Sequence, residues 1–359
     1  MEVRARATKR VKIVTGFHCN ARCTFCYYGE RVSYPNFTKE DIKRDVLFAL
    51  RNGISEIDFS GGEPTTHPDL AGLIYFAKTK GARRICIITN GIIASDKKYL
   101  MSLADAGLDE TLFSLQGHDA ASHDSFVGVK GSFLKIVQAM ENAQELGLQI
   151  RINSVIHKYN YKNALDIAKT ASRFKPAQFN FISINDWQHA AKIFKDFTPS
   201  YSDLAPHIKE SCDYLKDYTS NINIRYVPLC LFPGYEKYVC GHSEVRFDPF
   251  EWDPYVRSRL EKHYFPFAWL LMIAAGLFFW PKYGKAYVDN GKEFLSECIV
   301  RAIKEYGYVK SPACGKCSYY YICDTVEKKY AKYFGFGELK AVEGEKIKEP
   351  YFFRRHLLR

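Results

Sequence analysis

Three cysteines, Cys19, Cys23 and Cys26, fall at C-x3-C-x2-C within residues 16–28, directly after the apolar run 11–14. Three thiolates gathered in one short loop bind a metal centre without completing it. A cube of four irons held by three cysteines keeps one iron free of protein, much as a catalytic zinc keeps an open position. The pattern therefore reads as reactive rather than structural. A zinc site with His18 as fourth ligand stays open as an alternative from the loop alone. A second group comprises Cys230, Cys240 and the run Cys314, Cys317, Cys323 at C-x2-C-x5-C. Its spacing suits either a zinc ribbon or a second cluster. Cys86, Cys212 and Cys298 read as small buried hydrophobes. Ser60-Gly61-Gly62-Glu63-Pro64 follows a strand-like segment. Its glycines permit close backbone approach to a ligand, and its carboxylate complements an ammonium.

The cysteine spacing, with Phe25 before the third thiol and Tyr27 after it, resembles the radical S-adenosylmethionine (SAM) enzymes. Gly61-Gly62-Glu63-Pro64 is similar to that family's GGEP motif, and Thr89-Asn90-Gly91 to its T-N-G. The resemblance implies that Cys19, Cys23 and Cys26 hold a [4Fe-4S] cluster whose fourth iron chelates SAM. It implies that Phe25 and Ile182 lie near the adenine, and that Gly61, Gly62, Glu63 and Pro64 receive the methionine amino group. Thr89, Asn90, Ser114, Gln116 and Asn153 would be polar contacts to the same cofactor. The second cysteine group resembles the auxiliary extensions called SPASM and twitch domains. Five cysteines cannot ligate two further clusters, so the expectation is one auxiliary [4Fe-4S] cluster held by four of Cys230, Cys240, Cys314, Cys317 and Cys323. Cys314 and Cys317 are the firmest of these, and the Cys230 and Cys240 spacing departs from the usual hairpin. Two clusters and SAM are thus the expected cofactors, with a flavodoxin or ferredoxin as electron donor.

The elements that must position these residues follow a rhythm. Strand-like segments at 11–14, 56–59, 85–88, 111–115, 149–156 and 179–184 alternate with amphipathic stretches at 70–80, 97–106, 132–146 and 162–174. Thr38 with Glu40 and Asp41 opens a further helix, which Gly53 stops. Six such alternations predict α/β architecture with a parallel sheet, and the resemblance implies a partial (β/α)6 barrel of the TIM type. Parallel sheets place chemistry at the C-terminal strand ends. His118, Asp119, Asn185 and Trp187, beside Asp186, then face the barrel mouth as candidate substrate contacts. A helix at 199–218 and a strand at 222–227 complete a core domain of residues 1–227. Residues 228–359 lack the rhythm and form a smaller, irregular α+β auxiliary-cluster domain.

The chain has 359 residues, a formal charge of +11 and eleven cysteines. The charge is dispersed, which suits a solvated basic surface before an anionic substrate or nucleic acid. The odd cysteine count, the metal-like spacing and a basic opening without a cleavage signal point to a reducing cytoplasm. The apolar stretch at 265–281 is too short to span a bilayer and is bracketed by Pro266 and Pro281, so no membrane span is expected. Three functions follow. The first is a radical SAM enzyme modifying or oxidising a peptide or protein side chain, although no leader-binding segment precedes the first strand. The second is a radical SAM oxidoreductase of a sugar, nucleotide or cofactor precursor, although the C-terminal Gly-Gly of the molybdopterin-precursor enzyme is missing. The third, a nucleic-acid-binding metal protein, rests on the basic–aromatic mixture at 328–334 with Arg354 and Arg355; nucleic acid is the least expected partner.

Overall fold

The computed structural model describes residues 7–185, 190–260, 268–278 and 291–357. Eight parallel strands form one curled, open sheet in sequence order. They are β1 Arg10–Val14, β2 Glu56–Ser60, β3 Arg84–Thr89, β4 Glu110–Ser114, β5 Gln149–Ile156, β6 Gln178–Ser183, β7 Ile222–Arg225 and β8 Val239–Cys240. The expected partial barrel is therefore present. The six predicted strands and the 222–227 strand all occur, and the two-residue β8 is an addition too short to carry a periodic signal.

Helices α1 Lys39–Arg51, α2 Leu70–Thr79 and α3 Lys97–Asp105 cross between the first strands. Thr38 caps α1, its hydroxyl accepting from the Asp41 N–H at 3.2 Å. Two helices, α4 Ala120–Val127 and α5 Ser132–Glu145, follow β4, and α6 Ala164–Ser172 follows β5. The segment at α4 lacks a helical apolar stripe, which is why sequence periodicity passes over it. Its start is set by a capping box between Asp119 and Ser122. After β6 come α7 Ala190–Phe197 and α8 Tyr201–Leu215.

The chain divides into two compact units, one of Lys12–Pro199 with Pro206–Asn223, the other of Met1–Val11, Ser200–Ala205 and Ile224–Arg359. In the first unit, parallel register makes rows across the sheet. Ile57, Phe59, Ile85, Ile87, Phe113, Ile152, Phe179 and Phe181 are all buried, and both faces of such a sheet must be covered. The alternate face carries polar rows. Asp58 stands opposite Cys86, and Cys86 opposite Glu110. Arg151, 1% exposed, pairs with Asp58 at 3.0 Å and with Glu110 at 3.3 Å. One row nearer the C-terminal ends, Ser114 is in register with Asn153 and Asn153 with Asn180.

In the second unit, Ile224 and Arg225 pair with Val239 and Cys240. Helices α9 His242–Val245, α10 Pro254–Leu260, α11 Ala268–Phe278 and α12 Gly291–Gly307 follow, and α13 Lys328–Phe334 comes near the end. A β-carbon on Gly276 of α11 would lie 2.1 Å from the Cys298 carbonyl oxygen, so glycine lets α11 and α12 meet backbone to backbone. Strands β9 Tyr308–Val309 and β10 Val326–Glu327 pair antiparallel and bracket Cys314, Cys317 and Cys323. No described helix is long and apolar enough to cross a membrane. The ends of the 265–281 stretch lie outside the described residues.

Candidate active site

The cysteine loop leaves β1 and is pinned along its length. Cys19 N–H donates to Val32 O at 3.1 Å, Arg22 N–H to Val127 O at 3.0 Å and Thr24 N–H to Phe126 O at 3.0 Å. The C-terminal end of α4, missed in the sequence, is thus one wall of the loop. Gly128, at φ +73°, lies so close that a β-carbon would stand 2.8 Å from Arg22 O.

The Gly61-Gly62-Glu63 turn docks on the same loop. Gly62 N–H donates to Gly16 O at 2.9 Å and Glu63 N–H to His18 O at 2.8 Å. A β-carbon on Gly62 would come within 2.2 Å of the Phe17 and His18 carbonyl oxygens. The close approach that these glycines permit is to the protein's own backbone, where sequence reasoning expected a ligand. Pro64 then opens a short 3-10 turn.

Glu63 is buried, and its carboxylate accepts four hydrogen bonds from within the chain. Oε1 takes the Thr65 N–H at 3.2 Å, the Thr65 hydroxyl at 2.6 Å and the Thr89 hydroxyl at 2.7 Å; Oε2 takes the Asn90 N–H at 2.7 Å. Burial raises its pKa, and these donors oppose the rise. Asn90 continues the chain of contacts. Its side-chain amide donates to Asn20 Oδ1 at 2.7 Å and lies 3.9 Å from Cys19 Sγ. Burial, with the Glu63 carboxylate next, pushes the Cys19 thiol up to about 12. Burial and the neighbouring Cys26 and Cys19 push Cys23 higher still. These thiols keep their protons until a cation displaces them.

Of the other sequence candidates, Ser114 and Asn153 share one row, and Ile182 is in register with Val155 a row beyond. Asn180 joins the Asn153 row, donating to Asn153 Oδ1 at 2.6 Å, while its own buried Oδ1 has no hydrogen-bond partner among the described residues. Strand alternation two residues before Ile182 was the signal for it. Gln116 is buried, its Oε1 accepting the Val155 N–H at 2.9 Å, which extends the β4–β5 ladder. Asp119 caps α4 through the Ser122 N–H at 2.8 Å, and these Ser122 contacts hold its carboxyl below the usual range. His118 lies 3.4 Å from Asp119. Asn185 is half-buried just past β6. Trp187 and Asp186 lie outside the described residues.

His157, at the end of β5, was not singled out from the sequence. Its ring packs 5.7 Å from Phe25 and 4.3 Å from Phe126. Nδ1 accepts the Tyr159 N–H at 3.2 Å, so the neutral ring carries its proton on Nε2, which is buried without a hydrogen-bond partner among the described residues.

In the second unit, Cys230, Cys314, Cys317 and Cys323 line one pocket with Lys310, Ser311 and Tyr320. Cys240 stands elsewhere, buried beside Arg354 and Arg225. Every lining sulfur has a hydrogen-bond partner. Lys340 N–H serves Cys230, Val342 N–H serves Cys317 at 3.4 Å, and Cys314 Sγ shares a hydrogen bond with the Ser311 hydroxyl at 3.3 Å. Leu229 and Thr325 N–H groups serve Cys323 at 3.4 and 3.3 Å. No three His, Cys, Asp or Glu side chains among the described residues form a group that could hold a metal ion by itself. A cluster of several irons needs its thiolates around a space rather than at a point. Cys86, Cys212 and Cys298 are buried apart from both groups.

Residues 13–171 match the family model described as the radical SAM superfamily. The GTP 3',8-cyclase of Aquifex aeolicus is 26% identical over 205 residues, covering 54% of this chain and 63% of that protein. Streptococcus suis SuiB bound to precursor peptide SuiA matches with a TM-score of 0.51 at 22% identity, over 60% of this chain and 49% of that one. Native anSMEcpe with bound AdoMet and Cp18Cys peptide matches with a TM-score of 0.53 at 16% identity, over 97% of both chains. The chain thus spans a little under two thirds of the cyclase and half of SuiB. With the cysteine loop, the docked glycine turn and the open parallel sheet, residues 13–171 are similar to the radical SAM superfamily.

Proposed function

We propose that this chain is a radical SAM enzyme that removes a hydrogen atom from a peptide or protein side chain. The observation that carries the reading is the three-thiol loop seated on Gly61-Gly62-Glu63 and tied to β3 through Asn90. Cys19, Cys23 and Cys26 would hold a [4Fe-4S] cluster, leaving one iron for the amino and carboxylate groups of SAM. The residues fit this group: three neighbouring thiols in one loop, a carboxylate-anchored turn beside them, and on Asn180 in the polar row an amide oxygen without a partner among the described residues. Held there by Cys19, Cys23 and Cys26, the group would supply one-electron reductive cleavage of SAM and, through it, hydrogen-atom abstraction from an unactivated C–H bond.

The protein's own part is to position and to exclude water. Asn153 and Asn180 present amide groups to the polar parts of the cofactor, and Phe25 against His157 offers an apolar wall for its adenine. No side chain is assigned as a general base. Cys230, Cys314, Cys317 and Cys323 would hold one auxiliary [4Fe-4S] cluster, and Cys240 would not. A flavodoxin or ferredoxin is the electron donor in this reading.

The peptide substrate draws on SuiB and anSMEcpe, whose structures hold peptides, and the likeness to anSMEcpe runs through the second cysteine group. A small-molecule substrate is the second reading, favoured by the GTP 3',8-cyclase relative. The test is anaerobic turnover with deuterium-labelled peptides and labelled nucleotides. Label in 5'-deoxyadenosine from a peptide supports the first reading. Label from a nucleotide alone overturns it in favour of the second.

A further inference from the structure

We infer that Lys310 sets the reduction potential of the cluster held by Cys230, Cys314, Cys317 and Cys323, raising it by placing an ammonium in the cluster's own cavity. The inference rests on the two-cluster reading above and goes beyond it to the direction in which that cluster is poised.

Lys310 follows β9, whose Val309 is in register with Val326 of β10. Thr325, which donates its N–H to Cys323 Sγ, also donates its hydroxyl to Val309 O at 2.6 Å. This short ladder fixes Lys310 and Cys323 side by side. The Lys310 ammonium donates to the Cys323 carbonyl oxygen at 3.0 Å and rests 4.9 Å from the Tyr320 ring, and the residue lines the cavity with all four thiols. Its stem is packed and its charge has a fixed address.

Other charges nearby are already engaged. Asp324 is held by His242 at 2.9 Å and by Lys304 at 3.4 Å. Lys304 also donates to Ser243 Oγ and to Tyr321 O. Lys340 supplies its backbone N–H to Cys230 while the residue itself is exposed. Lys310 and Lys340 both line the cavity, and of the two it is Lys310 whose ammonium is held on the Cys323 carbonyl oxygen.

A cluster with four thiolates is anionic, and reduction adds a further negative charge. A fixed cation stabilises the reduced state more than the oxidised one, and hydrogen bonds to the sulfurs act in the same sense. Four backbone N–H donors, to Cys230, Cys317 and Cys323, and one ammonium therefore bias this site towards holding an electron. The Cys19 and Cys23 thiols differ in having the Glu63 carboxylate as a neighbour, although Arg22 also stands beside Cys19.

The experiment is a potentiometric titration followed by electron paramagnetic resonance on the anaerobically reconstituted full chain. Cys19, Cys23 and Cys26 are all changed to Ala, so that the auxiliary signal stands alone. Lys310→Met and Lys310→Gln are expected to keep their iron and to lower the reduced-to-oxidised ratio at fixed poise about tenfold, a shift of about 59 mV for one electron. Lys310→Arg, which keeps the charge, is expected to return the potential towards that of the parent. An unchanged potential in an iron-retaining neutral variant overturns the inference. So does an equal shift in Lys310→Arg, or loss of iron from both neutral variants, since each assigns the lysine to packing. Absence of iron from the parent itself overturns the two-cluster reading, and the iron count separates that failure from the others.

Discussion

The backbone N–H of Asn90 donates to Glu63 Oε2 at 2.7 Å, joining the end of β3 to the turn after β2. Through the Asn90 side chain the same contact reaches Asn20, inside the cysteine loop. Three segments far apart in sequence are thereby fixed by one carboxylate. Glu63→Gln retains the shape but offers one acceptor oxygen and an amide that faces donors. Loss of charge-assisted hydrogen bonds is expected to cost about 1.5–3 kcal/mol. Urea unfolding of the metal-free protein measures this, and a variant as stable as the parent would show that Glu63 anchors nothing.

Gly62 and Gly72 make a paired test of the docking contact. A methyl group at Gly62 meets the Phe17 and His18 carbonyl oxygens, whereas at Gly72 in α2 it meets nothing within 4 Å. Gly62→Ala is expected to lose about 1–3 kcal/mol by overpacking. Gly72→Ala is expected to gain about 0.5–1 kcal/mol from helix propensity. Thermal unfolding of both proteins reads the contrast, and equal effects would contradict the docking geometry.

His157 gives a pH dependence. Burial lowers its pKa from 6.5 to about 4. The unfolded chain therefore binds a proton below pH 6.5 that the folded ring refuses until about pH 4, so stability is full above 6.5 and falls as pH drops through this window. His123 has the same sign, also lowered to about 4 by burial. His157→Phe is expected to flatten, without abolishing, the loss of stability between pH 7 and pH 5. An unaltered slope in denaturant titrations at those two values would assign the ring a charged state.

The second cysteine group gives a prediction about composition. Cys240 lies apart from the cavity that Cys317 lines. The reconstituted Cys240→Ser variant is expected to hold roughly eight irons, and Cys317→Ala roughly four, since each cluster contributes four. Iron loss in Cys240→Ser together with full retention in Cys317→Ala would reverse the assignment.

Much of the first unit was legible in the sequence because its elements are long and periodic. The apolar runs at 85–88 and 149–156 end beside Gly and polar residues, and they fold as the strands they resemble. The cysteine spacing and the glycine turn were equally plain. What escaped was whatever depends on register or on distance. Asn180 stands beside Asn153 only because β5 and β6 pair in one register. His157 reaches Phe25 across a fold that no spacing records. Asp119 reads as a loop acid until α4, too short and weakly amphipathic to announce itself, gives it a cap to make. Cys230 and Cys240 look like a pair along the chain, and the turn between them sends them to different neighbours.

The most direct measurement is SAM cleavage by the anaerobically reconstituted chain under a strong reductant, compared with the variant in which Cys19, Cys23 and Cys26 are all Ala. The account predicts methionine and 5'-deoxyadenosine from the parent and none from the variant, which still retains its auxiliary iron. A parent that carries zinc at these thiols and never cleaves SAM, or a variant that cleaves it as well as the parent, would contradict the account.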